Sequence, residues 1–243
     1  MEPVVSVQGV SMMFRISRHQ EYRVKEYLLN AVRGKLAYEE FWALRDISFA
    51  LGRGESLGLV GRNGSGKSTL LKLIAGIMRP TKGTVVTHGN IAPLIEINGG
   101  FDRTLTAREN IYLSGAMHGH TRAYMNRRFD EIIDFAELWD FVDVPVAGFS
   151  SGMLSRLGFA IATLTDADIV IADEVLAVGD ARFRQKCEKR MNEMLGHGTT
   201  ILFVSHSAAQ VQKVCQRAIW LEKGRIRMNG TAQEVCREYA ANG

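Results

Sequence analysis

Apolar residues in this chain gather in short runs separated by glycine-rich and polar breaks. Glu55-Ser56-Leu57-Gly58-Leu59-Val60 is one such run, bounded by Gly52 and Gly54, with the length and content of a buried strand. Beyond a glycine loop, Leu70, Leu71, Leu73, Ile74 and Ala75 recur at helical spacing until Gly76 stops them. Ile169–Ala172 and Ile201–Val204 read as two more buried strands, and Leu154 to Ala162 as another helix. Strand alternates with helix, so the predicted class is α/β with a mainly parallel sheet. No internal repeat or low-complexity linker divides residues 1–243, and one domain is expected.

The N-terminal region breaks this rhythm. Val4 to Val10 reads as a first strand, yet the next, Phe41 to Phe49, opens about 27 residues after Phe14. Between them Val24, Tyr27, Leu28, Ala31 and Val32 form an apolar stripe at helical spacing. Arg23, Glu26, Asn30 and Arg33 face away, and Gly34 is a natural stop. An amphipathic helix is therefore expected within an insert over about residues 15–40. It packs on its own domain, or it lies against a membrane or a partner; the pattern alone does not choose.

Composition narrows the classes. Of 243 residues, 46% are apolar and 23% charged, as in ordinary globular proteins, which excludes collagen, disordered tails and disulfide-stapled miniproteins. The richest apolar stretch, Phe159 to Gly179, is broken by Asp166, Asp168, Asp173 and Glu174, so no membrane span is expected. Met1-Glu2-Pro3 does not open a secretory signal. The net charge is only +4, and the densest basic region, Arg15 to Glu40, sets six basic residues against four acidic ones. That reads as a solvated helix face, and no nucleic-acid partner is expected. Cys187, Cys215 and Cys236 are odd in number and widely spaced, which fits reduced thiols in a cytosolic protein. His118 and His120 lack the i, i+4 spacing of a helical metal pair.

Glycine is the outlier, at 24 residues against 4 prolines. Its densest cluster, Gly61-Arg62-Asn63-Gly64-Ser65-Gly66-Lys67-Ser68-Thr69, stands between the strand at Val60 and the helix at Leu70. It matches G-x-x-x-x-G-K-[ST], a loop whose backbone N–H groups and following helix N-terminus face phosphate oxygens. The expected nucleotide contacts are Gly61, Asn63, Gly64, Ser65, Gly66, Lys67, Ser68 and Thr69. Lys67 reaches the β and γ phosphates and counts as catalytic, and Ser68 offers an oxygen to Mg²⁺. Asp173 ends an apolar strand as a second Mg²⁺ ligand, and Glu174 can polarise the attacking water.

Phe149-Ser150-Ser151-Gly152-Met153-Leu154-Ser155-Arg156-Leu157 puts small residues at a helix N-terminus, a second anion seat. This segment resembles the signature sequence of ABC ATPases, L-S-G-G-Q, departing from it at Phe149, Ser151 and Met153. Ala177-Val178-Gly179-Asp180 resembles that family's D-loop, with Asp180 as its acid, and Ser205-His206 its switch histidine. Leu105-Thr106-Ala107-Arg108-Glu109-Asn110-Ile111 matches the start of its helical subdomain.

The resemblance implies a P-loop NTPase of ABC type. An antiparallel N-terminal β layer (Val4 to Val10, Trp42 to Leu51) should flank the core sheet, and a helical subdomain should run over about residues 101–164. It implies ATP and Mg²⁺ as ligands and a head-to-tail homodimer. Ser150, Ser151 and Gly152 would face the partner's nucleotide, and His206 the γ-phosphate. Glu96 stands where the family usually has the Q-loop Gln, and would join Ser68 and Asp173 around the metal. Adenine would stack on Phe14 or on Tyr38. The insert, the Phe41-Trp42-Ala43-Leu44 entry, Glu96, Gly99-Gly100-Phe101, the signature and Asp173-to-Asp180 together resemble ATPase subunits of O-antigen, teichoic acid and related polysaccharide exporters.

That closer resemblance implies integral membrane permease partners and a peripheral place on the cytoplasmic face of the cell membrane. The polysaccharide would be handled only indirectly. Some relatives add a C-terminal carbohydrate-binding domain, for which residues up to Gly243 leave no room. Two other readings are a transporter for another substrate and a soluble ABC-type ATPase acting on nucleic acid or ribosomes. The soluble kind usually carries two ATPase cores or long coiled-coil inserts, and this chain has one core and neither.

Overall fold

Two sheets carry the strands, and they differ in kind. The computed structural model describes residues 2–17, 38–94, 100–173, 180–205 and 207–243, with the side chain of Asp173 excluded. The first sheet is antiparallel and three-stranded, in the order β2 (Tyr38–Leu51), β1 (Val5–Ser17), β4 (Lys82–Thr87). The second has six strands in the order β5 (Ile91–Leu94), β6 (Ile169–Asp173), β7 (Thr200–Val204), β3 (Ser56–Val60), β8 (Arg217–Glu222), β9 (Arg225–Thr231). Its first five strands are parallel and β9 returns antiparallel, as the α/β reading required.

Alternation along these strands divides the core. Ile169, Ile171, Leu202 and Val204 point to a layer shared with the antiparallel sheet and with α1 (Lys67–Ile74). Val170, Ala172, Ile201 and Phe203 point the other way, into α5 (Ala181–Gly196), α6 (Ala208–Val214) and α7 (Ala232–Asn242). Both faces are buried, which is why the strands read as continuous apolar runs. A third cluster joins α2 (Ala107–Met117), α3 (Arg122–Ala136) and α4 (Ser151–Leu164) around Ile111, Ile132, Ile133 and Leu157. It forms the helical subdomain.

The N-terminal hairpin is longer than its sequence suggested. The ladder of β1 with β2 runs from Val5 opposite Leu51 to Ser17 opposite Tyr38. Residues 15–17 and 38–40, placed at the ends of the insert, are therefore strand. The helix expected from Val24 to Val32 lies outside the described residues. Among the described residues no helix is long and apolar enough to cross a membrane.

Candidate functional site

The glycine loop leaves the central sheet at the end of β3, a buried strand between β7 and β8. Gly61 has φ +152°, and a Cβ there would stand 2.3 Å from the Leu221 carbonyl oxygen of β8. Gly66 caps α1 in the left-handed region, φ 106°, with room only for hydrogen against the Ala43 carbonyl and Leu44, each 2.7 Å from a would-be Cβ. Any side chain at these two positions would push the loop off its supports. The loop is closed by Ser65 N–H donating to the Arg62 carbonyl at 3.1 Å. The β8–β9 turn supports it as well: Gly224 N–H donates to the Ser65 carbonyl at 3.1 Å, while Arg45 N–H donates to the Gly224 carbonyl at 2.8 Å.

Lys67 opens α1 and is buried, with its ammonium donating to the carbonyls of Gly61 at 2.7 Å and Arg62 at 3.1 Å. Ser65 Oγ is also buried and has no hydrogen-bond partner among the described residues. A buried hydroxyl without a partner costs free energy unless something polar meets it. An orphan hydroxyl, a cation and a helix N-terminus in one loop fit a phosphate chain. Asn63 and Gly64 are exposed on this loop, and in the first turn of α1 Ser68 is exposed and Thr69 half-buried.

The strand ladder brings the acidic strand to the same edge. Asp173 pairs with Val204 of β7, and Val204 with Leu59 of β3, so Asp173 ends level with the start of the loop. At the usual strand spacing the two backbones are about 10 Å apart. β5 ends one strand further out, at Leu94 opposite Ala172. Ligands of parallel α/β sheets collect at this carboxyl edge. Glu174, Glu96 and His206, which follow the ends of β6, β5 and β7 in sequence, lie outside the described residues. The turn into α6 is braced by Ser205, whose hydroxyl donates to Gln210 at 2.7 Å and accepts from Ser207 N–H at 3.0 Å.

The segment expected to be a second anion seat forms a helix N-terminus. Ser150 caps α4, its hydroxyl accepting from Met153 N–H at 3.2 Å. Ser151 is exposed and Gly152 half-buried in the first turn. Arg156, further along α4, ion-pairs with Glu137 at 3.1 Å and with Asp180 at 2.7 Å. Asp180 caps α5, accepting from Phe183 N–H at 2.9 Å. That N–H above all holds its carboxyl below the usual aspartate range; loss of solvation opposes it, and the Arg156 charge adds to the lowering. Its carboxylate is thus held within the chain, on a helix cap and an arginine.

Of the aromatics proposed for adenine, Phe14 is half-buried against the N-terminal core and Tyr38 is exposed at the far end of the hairpin. Phe41 is a further aromatic of this hairpin, one the sequence reading did not weigh for adenine. Met12 pairs with Leu44 and Met13 with Trp42, so Ala43 is a bulge. The extra residue turns Phe41 to the same face as Leu44, the side chain that abuts Gly66. Phe41 is 48% exposed there. Asn110 was also missed as a brace: it is buried, accepts from Asp102 N–H, and donates to the carbonyls of Asp102, Leu105 and Thr106. Beside β5 a cleft of about 360 Å³ opens between core and helical subdomain, lined by Ile77, Leu94, Phe101, Met117 and Ile161.

A phosphate loop on a parallel sheet, an acidic strand end beside it and a capped helix on a separate subdomain define a P-loop nucleotide-binding domain. Residues 44–177 match the family model described as ABC transporter. The chain belongs to the ABC transporter family, as an ATPase domain, and that family binds ATP with Mg²⁺ in general. It is 43% identical over 241 residues to the O-antigen export system ATP-binding protein RfbB of Klebsiella pneumoniae, covering 98% of each chain. It is also 43% identical to the teichoic acids export ATP-binding protein TagH of Listeria monocytogenes, over 97% of this chain and 69% of that protein. In fold it is similar to a solved ATP binding subunit of an ABC transporter, with a TM-score of 0.78, 25% identity, and coverage of 99% and 95%. A dimeric ATP-binding cassette bound to ADP and Pi matches with a TM-score of 0.76 at 20% identity, over 94% of this chain and 98% of that one.

Proposed function

We propose that this chain hydrolyses ATP to power export of a lipid-linked polysaccharide, of the O-antigen, teichoic acid or capsule kind, through separate membrane permease subunits. The observation that carries this reading is the likeness to RfbB over 98% of both chains, joined to a complete phosphate loop. Gly61, Asn63, Gly64, Ser65, Gly66, Lys67, Ser68 and Thr69 bind the phosphates of ATP, and an aromatic of the hairpin (Phe14, Tyr38 or Phe41) covers the adenine. Ser68, Asp173 and Glu96 hold Mg²⁺, which neutralises phosphate charge when bound. Glu174 takes the proton of the attacking water, and His206 steadies the γ-phosphate.

Two copies pair head to tail, so that Ser150, Ser151 and Gly152 of one protomer close over the ATP of the other. Asp180 acts beside that seat. The permease docks in the cleft beside β5, where Ile77 and Met117 are 59% and 70% exposed. The ATPase then sits on the cytoplasmic face of the cell membrane.

In cells lacking the chain, lipid-linked polysaccharide should accumulate internally. The native chain should restore surface polymer and the Lys67→Ala variant should not. Purified Glu174→Gln protein should lose nearly all hydrolysis yet dimerise with ATP. Unchanged surface polymer together with co-sedimentation on ribosomes would replace this reading with a soluble ATPase.

A further inference from the structure

Arg156 stands in a closed ring of charges that joins three helices. Its guanidinium donates to Asp180 at the head of α5 at 2.7 Å and to Glu137 at the end of α3 at 3.1 Å. Glu137 in turn accepts from Lys186 of α5 at 3.2 Å, and Lys186 also donates to the Phe135 carbonyl at 2.9 Å. The ring therefore closes through α5, which carries both Asp180 and Lys186. Arg156 also lies over the Phe183 ring, 4.8 Å from its centre. Its side chain is 21% exposed. Glu137 holds φ at 59°, a conformation that costs a residue other than glycine about 1 kcal/mol. That strain places its carboxylate between two cations.

The ring spans a boundary. α3 and α4 belong to the cluster of the helical subdomain, while α5 packs on the core sheet. The chain leaves β6 at Asp173, fixed by the ladder to Val204, and Asp180 caps α5 on the core sheet. The pair of Arg156 with Asp180 ties that cap to the helix that starts at Ser150.

We infer that Arg156 is a positioning residue for ATP-driven pairing of two copies, coupling the seat at Ser150–Gly152 to the Asp180 end of the segment that leaves β6. The inference rests on the proposal that this seat takes the partner's ATP. When the seat closes on a nucleotide, the Arg156–Asp180 pair keeps the cap of α5 in register with it.

The test uses the full chain carrying Glu174→Gln, so that ATP is held and not consumed. In that background Asp180→Asn keeps the helix cap, because the amide oxygen still accepts from Phe183 N–H, and removes the charge facing Arg156. Asp180→Asn and Arg156→Ala should each weaken ATP-driven dimerisation about tenfold in sedimentation, the scale of one charged hydrogen bond. Affinity of the monomer for a fluorescent ATP analogue should stay within about twofold, since the phosphate loop is untouched. Arg156→Lys, able to serve one carboxylate at a time, should recover part of the loss. The double variant should dimerise no worse than the weaker single one. Native dimerisation in both single variants, or losses that multiply in the double variant, would overturn the inference. Gly152→Asp separates the two ideas by placing a carboxylate in the seat. Intact ATP-driven dimers in that variant would remove the seat itself. Their loss there, with Arg156 and Asp180 variants pairing normally, would remove only the coupling.

Discussion

The ammonium of Lys67 donates to the carbonyl oxygen of Gly61, 2.7 Å away, so the residue that starts the helix holds the residue that starts the loop. The cation is buried and kept paired within the chain. In the proposed role, phosphate oxygens would replace these carbonyl partners, with little new desolvation of the lysine.

Lys67→Ala removes both roles. Leaving the Gly61 and Arg62 carbonyls short of a donor should cost about 1–3 kcal/mol. For a chain of this size each kcal/mol lowers Tm by about 2–4 °C. The rise in Tm on adding ATP should vanish altogether. Thermal scans with and without nucleotide check both effects.

Gly61→Ala and Gly152→Ala should diverge. The first puts a methyl 2.3 Å from the Leu221 oxygen, while the second meets only Ser150 Oγ at 3.8 Å. Gly61→Ala should lower unfolding free energy by more than about 2 kcal/mol, as overpacking against rigid backbone does. Gly152→Ala should leave it equal or raise it by up to about 1 kcal/mol, the helix preference of alanine. Loss of ATP turnover in Gly152→Ala would then be a seat effect, and urea titration beside an ATPase assay separates the two.

Asn110→Ala should be costly for a surface-helix position. It leaves the Asp102 N–H without its acceptor in a buried place and takes one of two donors from each of the Asp102, Leu105 and Thr106 carbonyls. A loss of about 1–3 kcal/mol is expected. Hydrogen exchange should show amides of residues 102–106 opening faster than those of β3. Equal protection in both proteins would contradict the brace.

Acid should attack the helix caps first. Glu109 is held below its ordinary value of 4.5 by the Thr106 N–H and hydroxyl, and Glu234 by the Thr231 hydroxyl and N–H. A depressed folded pKa means the stabilisation is complete above the unfolded value and is lost as pH falls through the folded one. Tm should therefore hold on this account above about pH 4.5 and decline below it. Glu109→Gln with Glu234→Gln should flatten that decline.

Base should act through the thiols. Burial pushes Cys187 and Cys215 from 9.0 up to about 12, and raises Cys236 as well. A raised folded pKa means stability is full below the unfolded value of 9.0 and is lost as pH climbs from there toward 12. Urea midpoints at rising pH should fall accordingly. Thiol reagents at neutral pH should react with the native chain only as fast as it opens.

The phosphate loop was legible because strand, glycines, lysine and helix are contiguous and each is required locally. The parallel sheet was legible because strands buried on both faces read as apolar runs. The full hairpin was not. Ile16, Tyr38 and Phe41 are exposed at its end, and only pairing across to the other strand makes them extended. Phe41 escaped notice because its face depends on the bulge at Ala43, which alternation along β2 does not reveal. Asp180 read as the acid of a D-loop because its neighbours resemble one. Its bond to Arg156 joins residues far apart in sequence, and no local pattern records it.

The hydrogen bond from Gly224 to Ser65 has a consequence for synthesis. Translation delivers the phosphate loop in the first third of the chain, but β7, β8 and the turn that supports it come near the end. A nascent chain on the ribosome therefore carries every residue of the loop long before it has the loop's shape. The native support of the loop is complete only once Gly224 has emerged, so the loop takes its final shape among the last steps of folding.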